Sequence, residues 1–319
     1  LWGGGISAFQ SNPTLNNIII SGNTANFGGG GIILQESDPL LSNVIISGNE
    51  SNGSNGVGGS GGGILLLYSH PTLNNITISE NTAFYNGGGI VFQESNPTLS
   101  NVTISGNTVE IFGGGAVIFE SDPILNKITI INNTADSLGG GIIIQESNPI
   151  ISNATISGNT AGFFGGGIFI VLSNPSLKNT IIWDNTPESI NLYSSEEPII
   201  TYSDIEGGWV GTGNIDADPL FTNPENENFT LQAASPCIDA GTADTDGDGE
   251  DDIIDYNGSA PDMGAIEYEC IAQIGDINGD GSHNVLDVVT LANCVLSGTC
   301  PDLPFGCAGD LNDDGVYNV

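Results

Sequence analysis

Seven times the chain spells Gly-Gly-Gly followed by Ile or, once, Ala. The phrase ends at Ile6, Ile32, Ile64, Ile90, Ala116, Ile142 and Ile168, giving steps of 26, 32, 26, 26, 26 and 26 residues. A fixed period of this size demands a solenoid, in which each repeat leaves an apolar face that only its neighbour covers. The one long step contains a polar insert around Asn52-Gly53-Ser54-Asn55-Gly56.

A single turn reads clearly from Gly139 to Ala161. It holds three short apolar runs, Ile142–Ile144, Ile150–Ile151 and Ala154–Ile156, each too short for a helix and bounded by Gly, Asn-Pro or Ser-Gly-Asn. Three strands and three corners per 26 residues predict an all-β parallel β-helix, stacked at about 4.8 Å per coil. Seven coils would build a rod of roughly 34 Å. Stacking turns repeat positions into columns. Asn23, Asn49, Asn81, Asn107, Asn133, Asn159 and Asn185 form an unbroken one, and a second (17, 43, 75, 101, 153, 179) is interrupted only by Lys127. Stacked amides bond one another where water cannot reach.

These repeats resemble the right-handed parallel β-helix repeats of bacterial surface proteins related to the polymorphic outer-membrane proteins. The same pectin-lyase-like superfamily houses pectate lyases and polygalacturonases. The resemblance covers residues 1 to about 268. It implies a right-handed solenoid of 26-residue coils over 1–186, followed by a C-terminal end or cap over 187–268. The phrases Tyr202-Ser203-Asp204-Ile205-Glu206-Gly207-Gly208, Asn214–Phe221, Ser235-Pro236-Cys237-Ile238-Asp239-Ala240-Gly241 and Asp262–Tyr268 look like the end of surface proteins that carry an interchangeable anchor.

Charge narrows the partners. Two Lys, no Arg and 38 acids give a net charge of −36. Residues 1–182 carry net −8, whereas residues 183–319 hold 28 acids and no base. Phosphate neutralisation needs Lys and Arg, so nucleic acid and anionic membrane surfaces are excluded as partners. No apolar run reaches the length of a transmembrane helix. The chain opens within a repeat at Leu1-Trp2-Gly3 and stops within a motif at Val319, so a longer parent protein is expected. Cys270, Cys294, Cys300 and Cys307 crowd the last fifty residues and read as disulfides of an exported, extracellular or cell-surface protein, in any of three pairings. Cys237 reads as a buried, unpartnered side chain.

Two stretches carry calcium spacing. From Asp244, acids stand at loop positions 1, 3, 5, 9 and 12 with Gly at 6: Asp244, Asp246, Asp248, Asp252 and Asp255. Glu250 stands at position 7, so many carboxylates repel without a cation, and oxygen ligands at this spacing wrap Ca²⁺. The pattern returns in Asp276-Ile277-Asn278-Gly279-Asp280-Gly281-Ser282-His283-Asn284-Val285-Leu286-Asp287, with a helix expected over 285–296. A further copy begins at Asp310 and runs through Asn312 and Asp314 before the chain ends. The paired loops over 269–319 resemble a truncated dockerin. The resemblance implies calcium held by the side chains of Asp276, Asn278, Asp280, Asn284 and Asp287 and by the Ser282 carbonyl, and a cohesin-like or other surface protein as partner. Val285 and Leu286 replace the Ser-Thr pair that helps cellulosomal dockerins recognise cohesin, which puts that particular partner in doubt.

Catalysis and binding make different demands on the residues. A uronate lyase needs a cationic base and cations for its substrate's carboxylates; this chain has no Arg, and its two Lys lie 51 residues apart. Glycoside hydrolysis needs only two carboxylates about 5–9 Å apart. Glu94, Glu120 and Glu146 form such a column, although duplication of a repeat produces the same column with no catalytic role. A column of Thr77, Thr103, Thr129 and Thr155 is expected to face outward. The residues favour a non-catalytic, calcium-stabilised extracellular β-helix serving adhesion, carbohydrate binding or structure. The alternative is a secreted polysaccharide-degrading enzyme delivered by the same module.

Overall fold

The computed structural model describes residues 3–53, 58–245, 247–269, 275–278, 282–300 and 306–309. Among them the chain is a parallel β-solenoid of three sheets, with one short α-helix towards the C-terminus. The first sheet stacks eight four-residue strands, from Ile6–Phe9 through Ile142–Gln145 and Ile168–Val171 to Ile190–Tyr193. The second stacks longer strands, such as Ile124–Ile131 and Ile150–Ser157. The third has six two-residue strands, among them Thr134–Ala135 and Thr160–Ala161. Register follows the repeat: Ile142 pairs with Ala116 and Ile168, and Ile156 with Ile130 and Ile182.

The coil differs from the pattern of apolar runs in one respect. Ile150–Ile151 and Ala154–Ile156 belong to a single strand, bent at Asn153. The third sheet is instead made by the Thr-Ala pair that follows Ser-Gly-Asn. The bend is the second Asn column: Asn17, Asn43, Asn75, Asn101, Lys127, Asn153 and Asn179 all hold φ between 50° and 54°. Asn tolerates this left-handed conformation better than other non-glycine residues, so the column records a backbone requirement. Strand count differs too. An eighth coil follows the seven glycine phrases, where the carbonyls of Glu188 and Ser189 accept from the Gly167 and Ile168 N–H groups. Its step is 22 residues rather than 26, so the periodic phrase does not mark it.

Ile32, Leu34, Ile46, Ile78, Ile104 and their equivalents point inward and form one continuous core. The first Asn column lines an interior corner. Each Nδ2 donates to the Oδ1 of the next Asn at 2.9 to 3.0 Å, from Asn23 through to Asn185. Glycine is needed beside it because the coils touch there. Gly113 has φ +71, and a Cβ at Gly115 would lie 2.7 Å from the Gly141 carbonyl oxygen. The Ser-Asn-Pro corner tolerates Asp and His because the column needs only an acceptor. Asp122 N–H donates to Asn96 Oδ1 at 2.7 Å, and Asn96 N–H to His70 Nδ1 at 2.9 Å.

Beyond the eighth coil the chain folds back over the outside of the second sheet. Gly264 N–H donates to the Asn179 carbonyl, Ala265 N–H to Thr155 Oγ1, and Asn179 exchanges bonds with Thr242 in both directions. Ile181, Leu231, Cys237 and Met263 form a second apolar cluster under this strap. Thr155 is therefore buried, whereas Thr77 and Thr103 are half-exposed, so the outward Thr column is not a free face along its length.

Candidate functional site

The outer face of the first sheet carries a recess. In Ile142-Ile143-Ile144 the first and third side chains enter the core, and Ile143 must face out. Its register partners Ile33, Leu65, Val91, Val117 and Phe169 make an external apolar row that is nevertheless buried. The cover comes from the loop before each glycine phrase. Phe112 and Leu138 lean onto the row, and Tyr85 meets Phe112 edge to face at 5.9 Å. Phe163 and Phe164 extend the wall and are 65 % and 52 % exposed. Gln93, Phe119, Gln145 and Tyr193 form the opposite side. The resulting groove has a volume of about 720 Å³ and runs across successive coils.

The Glu column stands on its rim. Glu94, Glu120 and Glu146 directly follow Gln93, Phe119 and Gln145, at a corner where φ is between 48° and 51°. Glu120 and Glu146 are exposed and Glu94 is half-exposed. Tyr68 holds the equivalent corner one coil before Glu94. Its hydroxyl is pushed above the usual phenol value by its hydrogen bond to Glu94, then by the charge of Glu94 and of Glu120 and Glu36. The rim is thus a strip of negative potential. Along the other wall, Glu110 and Asp136 each precede a groove residue by two positions. Lys127 and Lys178, the chain's only cations, lie on strands of the second sheet.

A second group of acids lies under the strap. Asp204 and Asp262 are buried, and loss of water raises both carboxyls to about 6. Asp204 accepts from Ala217 N–H and Cys237 Sγ; Asp262 accepts from Asp239 N–H and Tyr268 N–H. Burial, then the charge of Asp262, raises Glu267 to about 7, while Lys127 pulls the other way. Cys237 is a free buried thiol, as its sequence context indicated, but it has a partner in Asp204.

The calcium-type loops are placed in part. Asp244 accepts from the N–H groups of Gly247 and Gly249, and Asp252 from Thr245 N–H and Oγ1. Asp248, Glu250 and Asp255 are exposed; Asp246 lies outside the described residues. In the terminal module, Asn284 caps the helix Val285–Ser297, with Asp287 completing a capping box. Asp287 accepts from the backbone of Asn278 and Asn284, and the Asn284 amide reaches the Ser282 carbonyl. Asp276 and Asp287, loop positions 1 and 12, are both buried in a segment with no Lys or Arg, and this oxygen set suits a hard cation. Among the described residues no three acids, His or Cys are grouped as a metal cluster. Asp280, Asp310, Asn312 and Asp314 lie outside the described residues, as does Cys270. Cys294 and Cys300 are bonded to each other.

The family model of the right handed beta helix region matches residues 2–135 and 75–223. The chain belongs to this β-helix family. No curated protein matches it. Among solved structures the β-helix is similar to the pectate lyase Pel9A, at 15 % identity and a TM-score of 0.35, over 84 % of this chain and 89 % of that one. It is also similar to HetL, a pentapeptide repeat protein involved in heterocyst differentiation regulation from the cyanobacterium Nostoc, at 12 % identity and a TM-score of 0.19. That match covers 64 % of this chain and 92 % of HetL. Superpositions this loose assign neither activity nor ligand. The groove is the feature that periodicity missed. Its signal was present, in apolar triplets that do not alternate and in Tyr85, Ile111-Phe112 and Phe163-Phe164 in the two positions before the glycine phrases.

Proposed function

We propose that this β-helix is an exported, non-catalytic binding element with the groove on its first sheet as the working surface. The observation that carries the reading is the groove itself: a continuous apolar floor of Val91, Val117, Ile143 and Phe169, walled by the exposed rings of Tyr85, Phe163, Phe164 and Tyr193 and with acids beside its rims. Recesses lined mainly by apolar and aromatic side chains with a few polar groups are the usual form of a binding site. The terminal loops serve attachment: calcium at the loops beginning at Asp244 and Asp276 orders the C-terminal region, and the dockerin-like module joins a cohesin-like or other surface protein. The Cys294–Cys300 bond supports an extracellular or cell-surface location.

A second reading rests on the Glu column. Glu94, Glu120 and Glu146 rise beside the groove on successive coils, as the carboxyls of a glycoside hydrolase would. The two readings part on turnover. Incubation with a broad set of polysaccharides in the presence of Ca²⁺ is expected to release no new reducing ends and no unsaturated products. Release that disappears in Glu120→Gln would replace the binding reading with the hydrolase.

A further inference from the structure

We infer that the groove receives an extended, cationic, amphipathic peptide segment of a partner protein. The inference rests on the binding role proposed above and names its ligand class. Length is the first ground. The floor crosses four coils from Val91 to Phe169 and ends at Tyr193, about 20 Å at 4.8 Å per coil. Six extended residues cover the same length at about 3.3 Å each, with alternate side chains on one face.

Chemistry is the second ground. Floor and walls are hydrocarbon and Phe, with amide or hydroxyl groups only at Gln93, Gln145, Asn86, Tyr85 and Tyr193. A ligand that presents an apolar row fills such a surface, whereas one bristling with hydroxyls leaves them unpaired. Charge is the third. Glu94, Glu120 and Glu146 directly follow the groove residues Gln93, Phe119 and Gln145 along one rim, and Gln145 Nε2 donates to the Glu146 carboxylate at 3.4 Å. No Lys or Arg lies on this sheet to receive an anion. A strand with apolar side chains inward and Lys or Arg at its margins satisfies floor and rims together, and charge complementarity of this kind sets orientation and on-rate.

The test uses the full chain and a fluorescein-labelled peptide of about twelve residues, (Lys-Leu-Lys-Phe)3, followed by fluorescence anisotropy. Its charge-reversed counterpart (Glu-Leu-Glu-Phe)3, cellohexaose and a galacturonate hexamer are run beside it. The Lys peptide is expected to bind and the Glu peptide not to. Phe163→Ser/Phe164→Ser should weaken the Lys peptide at least tenfold; both rings are already more than half exposed, so the fold persists, as circular dichroism verifies. Glu120→Gln/Glu146→Gln should weaken it at least threefold, and Glu225→Gln/Glu227→Gln, in the hairpin after the solenoid, should leave it unchanged. Undiminished peptide binding by the Phe pair variant overturns the inference, since attraction to a chain of net charge −36 would then be general. Cellohexaose binding that the Phe changes abolish also overturns it, while leaving the groove a binding site. If no ligand responds to the Phe changes, the groove is not a binding surface and the proposed function falls with the inference.

Discussion

Asn133→Ala probes the interior ladder at its centre. Asn133 Oδ1 accepts from the Asn107 backbone N–H at 3.0 Å and from Asn107 Nδ2 at 2.9 Å; its own Nδ2 donates to the Ile104 carbonyl and to Asn159 Oδ1. Alanine strands the Asn107 N–H in a buried site, at about 1–3 kcal/mol, and removes three further bonds worth about 0.5–1.5 kcal/mol each net. Asn107 Nδ2 keeps its second acceptor, the Ile78 carbonyl, which moderates the loss. The expected destabilisation is about 3–5 kcal/mol. Asn23→Ala is the internal control. Asn23 is half-exposed, and among the described residues its Oδ1 accepts no bond, so only its two donated bonds are lost, about 1 kcal/mol. Urea unfolding of both variants measures the difference, provided the slope of each transition matches the parent, as a two-state comparison requires. A gap between the two variants below about 1 kcal/mol would refute the reasoning, because both positions carry the same residue in the same column and differ only in burial and accepted bonds.

Stability of the strap should fall as pH rises from 4 to 7. Asp204 and Asp262 at about 6 and Glu267 at about 7 hold their protons above the ordinary carboxylate range near 4. The folded state therefore binds more protons than the unfolded one across that window; the contribution is full below pH 4 and gone above pH 7. The protection of the Gly264 and Ala265 amides, measured against their intrinsic exchange rates, should fall towards pH 8, and Glu267→Gln should flatten the upper part of that profile; unchanged protection refutes the assignment. Chelation should lower the melting temperature, since an ion present at 100 times its Kd stabilises by about 2.7 kcal/mol. A melting temperature insensitive to chelator, with no metal in the purified protein, would remove calcium from the account.

What the sequence made legible is what stacking repeats. Glycine, Asn and the inward Ile positions recur every 26 residues because each coil poses the same steric and hydrogen-bonding problem to the next, and a one-dimensional pattern reports it. The bend at Asn153 was harder to see. A left-handed residue inside a strand leaves no break in hydrophobicity, and Asn there resembles Asn in the ladder until φ is known. The eighth coil was hidden for a related reason: backbone carbonyls of Glu188 and Ser189 do the work of a glycine phrase, and backbone bonding does not depend on residue type.

The groove and the strap belong to a different class of feature, because both arise where the repeat departs from itself. The floor position is Ile, Leu or Val in five coils and becomes Phe169 only near the C-terminal end, where Phe163 and Phe164 also collect. A periodic reading averages such differences away. Burial of Thr155 depends on contacts with Gly264 and Ala265, more than a hundred residues later, for which no local pattern exists. The two outer faces therefore diverge in physical character along the same rod. The second sheet loses its exposed surface to the chain's own strap over the last coils, whereas the outer row of the first sheet is covered, among the described residues, only by the loops of its own coils and keeps exposed rings at Tyr85, Phe163, Phe164 and Tyr193 beside the Glu column. Exposed aromatic rings beside a segment that covers the other face are what set the first sheet apart, and are why the proposed partner surface is placed there.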